Sequence, residues 1–155
     1  MLDIRWPEDW AERKAGRGCP FCTEGSVDAN PYGIRIFTGQ VSDAYLQRRA
    51  PLPGFTIVVW RGRHVAEPTE LSDDEACAYW RELLHVTRAL EAEFHPAQVN
   101  YLTLGNQIPH LHTNVVLRFL DDSAPGKPID LDQGAPIPDA TLQTRVSALR
   151  SRLAQ

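Results

Sequence analysis

The sequence predicts one α+β domain. Three observations support this class: short apolar segments bounded by turn residues that suit strands, one long capped helix, and a second amphipathic stripe at the end of the chain. A chain of 155 residues with 43% hydrophobic content is long enough for one buried core and too short for two ordinary ones.

Two strands are predicted before the long helix. The segment GIRIFTG, residues 33–39, forms the first, and GFTIVVWRGRH, residues 54–64, forms a second and more buried one between Gly54 and Gly62. Ahead of them lies CPFCTEGSVDANPYG, residues 19–33, which is rich in turn residues. We expect this segment to hold its two cysteines in a loop.

The clearest helix is SDDEACAYWRELLHVTRALEAEFHP, residues 72–96. Ser72 and Glu75 form a capping box at its start, and Pro96 ends it. Apolar side chains recur at spacings of three and four, which suits a helix covering one face of a sheet: Ala76, Tyr79, Trp80, Leu83, Val86, Leu90 and Phe94. Cys77 is interpreted as a packed thiol and His85 as a partly exposed imidazole. His95 is interpreted as a residue of the helix end.

Two further strands follow the helix. They are QVNYLTLGN, residues 98–106, and its neighbour HLHTNVVLRFL, residues 110–120, joined by a turn at Gly105 and Asn106. Residues 121–139 are rich in proline, glycine and aspartate and are expected to lack regular structure. The last segment is predicted to be a short amphipathic helix, packed on its own domain or on a partner through Leu142, Val146, Leu149 and Leu153.

Composition excludes several classes of function. The net charge of -4 and the pI of about 5.7 give no electrostatic footprint for nucleic acid or for an anionic membrane. No apolar run approaches the ~18 residues of a membrane span, and the N-terminus lacks the pattern of a signal peptide. We therefore expect a cytoplasmic protein, where the three cysteines favour metal binding or redox chemistry over disulfides.

Polar side chains are concentrated on the last predicted strand. His110, His112 and Asn114 lie two residues apart, so they share one face at intervals of roughly 6.5 Å. Val115, Val116 and Leu117 make the same strand apolar on both sides, as in a buried central strand. Such a polar row is costly unless partners satisfy it, and hydrogen bonding of core histidines to the backbone is the simplest alternative to a functional site.

This strand also carries a family resemblance. PHLHTNVV, residues 109–116, resembles the signature of the histidine triad family, in which three histidines alternate with apolar residues. PGFTIVVWRGRHVAEPTELSDDE, residues 53–75, resembles the strand, basic turn, histidine and capped helix that precede the signature, and CPFC resembles the cysteine pair of zinc-containing members. The resemblance implies an N-terminal extension over 1–18, a domain over 19–120, and a C-terminal loop and helix over 121–155.

The family resemblance implies a fold, a chemistry and a partner. The fold is an antiparallel sheet of about five strands with one long helix packed across it, in a chain that pairs as a homodimer. The implied chemistry is attack by His112 on the α-phosphorus of a nucleotide, giving a nucleotidyl-histidine intermediate. Amide donors are then expected around the phosphate, and the candidates are Asn100, Asn106 and Gln107.

A structural zinc site is the second implication. The zinc-bearing members imply a Cys2His2 set of Cys19, Cys22, His64 and His110, which leaves no open coordination position. The alternative for CPFC is a redox pair, which needs a helix N-terminus to activate the first thiol. Thr23, Glu24 and Gly25 lead instead toward a loop, which favours zinc.

The sequence departs from the family signature at three positions. Asn114 replaces the third histidine, Thr113 takes a usually apolar place, and Leu117 replaces a common proline. An asparagine amide can donate to a phosphate oxygen but cannot carry a proton to a leaving group. Residues 47–49, Gln-Arg-Arg, stand near the place of the family's acidic ribose ligand, and the two arginines could instead meet phosphates of a longer polyphosphate.

Three functions therefore stay open at this level. The first is a nucleotidyl hydrolase or transferase acting on a dinucleoside polyphosphate or related nucleotide through His112. The second is a nucleotide-binding protein with little catalysis, because the third histidine is lost. The third is a nucleotidylyltransferase resembling the galactose-1-phosphate uridylyltransferase branch, which carries a glutamine amide at the position of Asn114.

Overall fold

A five-stranded antiparallel sheet forms the centre of the fold, as the family resemblance implies. The computed structural model describes residues 5–24 and 27–155. The strand order is β1-β2-β4-β6-β5, with every pairing antiparallel. The strands are β1 (Gly33–Thr38), β2 (Ser42–Gln47), β4 (Thr56–Trp60), β5 (Gln98–Leu102) and β6 (His112–Arg118), while β3 (Arg49–Ala50) and β7 (Ala135–Pro136) form a separate two-stranded ladder.

Strand β2 is the strand of the central sheet that the sequence pattern does not predict. Its residues show no alternation of polar and apolar types, because the strand is buried along its whole length. Two of its polar side chains have partners on other elements. The Ser42 hydroxyl donates to Glu82 at 2.6 Å, and the Asp43 carboxylate lies 3.6 Å from Arg61 and 3.8 Å from Arg35.

The predicted long helix is confirmed as α3 (Asp73–Phe94). The Ser72 hydroxyl accepts from the Glu75 backbone, and the Glu75 carboxylate accepts from the Ser72 backbone, which completes the capping box. His95 ends the helix in the left-handed conformation at φ 52°, directly before Pro96. The helix packs across one face of the sheet through Tyr79, Leu83, Val86 and Leu90, whose side chains belong to the main core.

The C-terminal helix α4 (Asp139–Leu153) packs on its own domain. Leu142, Val146 and Leu149 are buried in the same core as the sheet, and α4 contacts both α3 and β1. Glu93 of α3 holds α4 by ion pairs to Arg145 at 2.6 Å and Arg152 at 3.1 Å. Burial alone would raise the pKa of Glu93, but the hydrogen bonds from the two arginines outweigh it and hold the pKa below its usual value.

The segment between β6 and α4 is largely irregular, as predicted, apart from one 3-10 turn (Leu131–Gln133) and strand β7. Its first part is anchored by the buried Arg118 of β6. This guanidinium donates to the Asp122 carboxylate at 2.5 Å and to the backbone oxygens of Ala124 and Lys127 at 2.7 and 2.8 Å. We call residues 119–138 the strap, since it runs from this anchor to the ladder with β3.

Two short helices precede the sheet: α1 (Trp10–Lys14) and α2 (Pro20–Thr23). Residues 1–4 of the expected N-terminal extension lie outside the described residues. Among the described helices, none combines the length and the apolar character that crossing a membrane requires.

Candidate active site and metal centre

Four potential metal ligands converge where α2 meets the start of β6. The ligand atoms of Cys19, Cys22, His64 and His110 all lie within 4.8 Å of one another. The Nδ1 atom of His110 is 3.4 Å from the Cys19 sulfur and 3.5 Å from the Cys22 sulfur, and the Nδ1 atom of His64 is 3.3 Å from the Cys22 sulfur. Tetrahedral zinc, with bonds of ~2.3 Å to sulfur and ~2.0 Å to nitrogen, requires sulfur–nitrogen separations of about 3.5 Å. The four residues therefore fit a structural zinc site.

The Nε2 atoms of His64 and His110 are hydrogen-bonded to the backbone. The Nε2 atom of His110 lies 2.7 Å from the carbonyl oxygen of Trp60, and that of His64 lies 3.0 Å from the carbonyl oxygen of Lys14. Because a carbonyl oxygen can only accept, both Nε2 atoms carry the hydrogen, and both Nδ1 lone pairs point toward the thiols. Burial is the main cause that lowers the pKa of His110, which favours the neutral form that binds metal.

The sequence pattern predicts that the cysteine pair lies in a loop, and this prediction is wrong. Cys19 is the N-cap of the single-turn helix α2, and its carbonyl oxygen accepts from the backbone of Cys22 and Thr23. Gly25, part of the argument for a loop, lies outside the described residues. Burial and the neighbouring Cys19 thiol raise the pKa of Cys22 to about 11. The convergence of the pair with His64 and His110 favours metal binding over redox chemistry.

His112, the predicted nucleophile, begins strand β6 on the side of the sheet opposite α3. Its Nδ1 atom lies 2.6 Å from the carbonyl oxygen of His110, so Nδ1 carries the hydrogen and Nε2 keeps a lone pair. Burial lowers the pKa of His112, which favours the neutral imidazole. A neutral imidazole with a fixed tautomer and a lone pair on its outer nitrogen is equipped for nucleophilic attack.

Comparisons with known proteins agree with this geometry. The family model for the HIT domain matches residues 32–120, more than half of the chain. The chain belongs to the histidine triad family. Among curated protein sequences, none matches it.

Solved structures of histidine triad proteins share the fold. One from Bradyrhizobium japonicum is 24% identical over 78% of this chain and 90% of its own length, with a TM-score of 0.71. A zinc-bound histidine triad family protein from Mycobacterium smegmatis is 23% identical over 90% of this chain and 95% of its own, with a TM-score of 0.67. A protein from Sulfolobus tokodaii, described as a hypothetical histidine triad nucleotide-binding protein, is 15% identical over 88% and 92%, with a TM-score of 0.68. The chain therefore has the fold of these histidine triad proteins.

Asn114 is the residue predicted at the third signature position. It follows His112 on the same face of β6 and is 5% exposed. Its Nδ2 group donates to the carbonyl oxygen of Leu102, the residue paired with it on β5, at 3.2 Å. One amide hydrogen of Asn114 is thus used to tie the active strand to the neighbouring edge strand.

The predicted phosphate ligands fall into two groups. Asn106 and Gln107 are exposed, in the loop that leads from the end of β5 to the start of β6. Asn100 lies within β5, and its amide oxygen accepts from Arg118 at 2.8 Å, so a contact with phosphate would have to come from its Nδ2 group. The loop, and not the strand, presents the freer donors.

The two arginines considered for a polyphosphate differ in the structure. Arg48 is held by the protein: its side chain donates to the Asn30 carbonyl oxygen at 3.0 Å and lies 3.9 Å from Asp139. Its backbone bonds to Tyr32 and Ile137. Arg49 is exposed in the β3–β7 ladder. These contacts make Arg48 a structural residue that ties β2 to the strap.

Two features of the site are missed by the sequence reasoning. The Phe21 ring, between the two cysteines, lies edge-on to His112 with centroids 5.3 Å apart and to His110 at 5.5 Å. On the other side of β6, the buried Thr113 hydroxyl lies 2.9 Å from the buried Tyr79 hydroxyl and 2.8 Å from the hydroxyl of the exposed Thr103. The polar residue at a usually apolar signature position was the available signal for the second feature.

Proposed function

We propose that the protein is a nucleotidyl hydrolase or transferase that acts at the α-phosphate of a dinucleoside polyphosphate or related nucleotide. The observation that carries this proposal is the hydrogen bond from His112 Nδ1 to the His110 carbonyl oxygen, which leaves Nε2 as the nucleophilic atom. Nε2 attacks the α-phosphorus, the bond to the bridging oxygen breaks, and the polyphosphate leaves with the electron pair. The oxygen of water or another acceptor then attacks phosphorus and releases His112.

The donors around the phosphate are proposed to come from the loop before β6. Asn106 and Gln107 offer neutral amide hydrogens to the oxygens that gain charge during the attack. Gly105, with φ at 76°, permits the sharp turn that opens this loop. Asn100 and Asn114 complete the amide set. The protein already uses the amide oxygen of Asn100 and one amide hydrogen of Asn114.

Asn114 favours substrates whose leaving group needs no proton. An amide cannot act as a general acid, so the leaving group must depart as a stable anion. A phosphoanhydride meets this requirement because its leaving group is a phosphate or polyphosphate. This chemistry supports the dinucleoside polyphosphate class over phosphoramidates.

The zinc site is proposed to be structural. Cys19, Cys22, His64 and His110 fill four positions, so bound zinc would have no open position for water or substrate. Zinc there would cross-link helix α2 and the loop after β4 to the start of β6. His112, two residues beyond His110, would gain a fixed backbone from this link.

The test is to trap the intermediate. Zinc-loaded protein is incubated with dinucleoside polyphosphates and nucleotide sugars, quenched by denaturation, and searched by mass spectrometry for a nucleotide on His112. The adduct is expected in the wild type and in a His85→Ala control, whose histidine lies on α3 beside Phe37, and is expected to be lost in His112→Ala. Absence of any adduct, together with no turnover, would contradict the proposal.

A second candidate is a nucleotide-binding protein without catalysis. The observation in its favour is that the Asn114 amide is turned to the Leu102 carbonyl oxygen. This candidate expects nucleotide binding by calorimetry without turnover, and similar affinity in His112→Ala. Transfer of the nucleotide to a sugar phosphate in the same assays would instead favour the uridylyltransferase-like reading of the amide.

We also propose that the protein acts as a cytoplasmic homodimer. Trp80 on α3 and Tyr101 on the edge strand β5 are 51% and 39% exposed, with ring centroids 6.1 Å apart. Exposed aromatics of this kind favour a protein interface. Three free cysteines, two of them facing a metal site, suit a reducing compartment.

A further inference from the structure

The N-terminal segment, residues 9–18, lies directly against one metal ligand. It precedes the region that the HIT domain model matches, which begins at residue 32. The segment consists of helix α1, a turn at Gly16 and a second turn at Gly18 that leads into Cys19. The turns place the backbone of this segment over the imidazole of His64.

Two contacts define this packing. The carbonyl oxygen of Lys14, at the end of α1, accepts the Nε2 hydrogen of His64 at 3.0 Å. Gly16 lies against the ring, so closely that a Cβ atom there would stand 2.9 Å from His64 Cγ and 3.1 Å from Cδ2. Gly16 also has φ at 97°, a conformation that glycine adopts without strain.

The segment covers the more open half of the metal site. Cys19 and His110 are buried, whereas Cys22 is exposed and His64 is partly exposed. His110 takes its outer hydrogen bond from Trp60 of the sheet, but His64 takes its own from the N-terminal segment. Exchange of the metal would therefore pass through the half that this segment holds in place.

We propose that residues 9–18 form the outer shell of the zinc site and set how long zinc is retained. The Lys14 carbonyl fixes the tautomer of His64, and Gly16 fixes the orientation of its ring, so that Nδ1 stays aimed at the Cys22 sulfur. Partners of this kind are worth about 10- to 100-fold in metal affinity. This inference rests on the zinc site in the proposed function and not on the chemistry at His112.

The test compares three glycine substitutions on the full chain. Gly16→Ala adds a methyl group against His64. Gly18→Ala and Gly62→Ala are matched controls. Both glycines have positive φ, at 65° and 118°, and both lie within two residues of a proposed ligand, but a Cβ atom added at either would meet no atom within 4 Å. Zinc transfer to a colorimetric chelator is followed after loading. Gly16→Ala is expected to release zinc about 10-fold faster or more, and both controls within about 3-fold of wild type.

A second measurement needs no variant. By reciprocity, a segment that retains zinc must itself be stabilised when zinc binds. Hydrogen exchange of residues 12–17 in the wild type is expected to slow with zinc, relative to α4 as an internal reference. Equal release from all three variants, or unchanged exchange of the segment, would overturn this inference. Failure of the wild type to bind zinc would overturn the site itself.

Discussion

The Nδ1 hydrogen of His112 is donated to the carbonyl oxygen of His110 at 2.6 Å, so the proposed nucleophile takes its tautomer from the backbone of a metal-facing residue. The same Phe21 ring lies against both imidazoles. The metal centre and the active strand thus share one short stretch of chain, and a disturbance at one is expected at the other.

Loss of one zinc ligand is expected to lower stability and activity together. Cys22→Ser removes an exposed thiolate ligand, so zinc content should fall below one per chain and the melting temperature should fall. Cys77→Ser is the matched control, since Cys77 lies on α3, outside the ligand cluster, and is also an exposed free thiol, although the sequence predicts a packed one. Metal analysis and calorimetry test this; equal melting temperatures for the two variants would contradict a structural metal.

Asn114→His is expected to change the range of leaving groups. A histidine there can supply a proton, and general acid catalysis is typically worth 10²- to 10⁴-fold. We expect a gain of about 100-fold on aryl or amine leaving groups of high pKa and less than about 10-fold on a polyphosphate. Asn114→Gln, which keeps the amide, is the control and should show no such gain. A uniform gain across leaving groups would argue against a missing acid.

The hydroxyl chain behind the active strand is expected to be worth a measurable stability. Thr113 lies between Tyr79 and Thr103, and the Tyr79 hydroxyl also donates to the Val58 carbonyl oxygen at 3.1 Å. Thr113→Val keeps the shape but removes both hydrogen bonds of Thr113, and at about 0.5–1.5 kcal/mol for each bond the free energy of unfolding should fall by about 1–3 kcal/mol. In urea denaturation, the double variant with Tyr79→Phe should cost less than the sum of the two single changes. Strict additivity would show that the two hydroxyls act independently.

Sequence reasoning recovered the parts of the fold that local chemistry determines. The Ser72–Glu75 capping box, the His95–Pro96 end of α3 and the apolar stripe of α4 are written in short patterns, and the structure has each of them. Strand β2 could not be found this way, because the buried Ser42 and Asp43 have their side-chain partners on other elements.

Some residues of the site were also predictable from the sequence, and others were not. The CPFC spacing indicated a pair of metal ligands, and the family resemblance implied His64 and His110, so that the four residues that gather at the metal centre were predicted. The Lys14 carbonyl, the Gly16 contact and the turn of Asn114 to Leu102 depend on tertiary packing between distant segments. The role of Arg48 was likewise decided by backbone partners that no local pattern shows.

Dimer formation is expected to depend on the exposed aromatic pair on α3 and β5. Trp80→Ala removes the larger ring of the Trp80–Tyr101 contact and should raise the dimer dissociation constant by about 10-fold or more, as interface tryptophans often do. Trp6→Ala is the control, because Trp6 is 61% exposed and precedes helix α1. Sedimentation equilibrium distinguishes them, and a monomeric wild type would refute the dimer.

The anchor of the strap is expected to weaken in acid. Hydrogen bonds from the Arg118 guanidinium, and then from the Ala124 backbone, hold the pKa of Asp122 below its usual value. The ionised form is therefore favoured by folding, so its stabilisation is fully present above about pH 5, past the usual aspartate pKa of about 3.9, and is lost as the pH falls through the lowered value. Asp122→Asn should lower the urea midpoint near neutral pH, and the difference from wild type should shrink toward about pH 3. Asp121→Asn changes an exposed neighbour and should leave the urea midpoint unchanged at both pH values. If the urea midpoints of wild type and Asp122→Asn differ equally at neutral pH and at about pH 3, the ion pair does not anchor the strap.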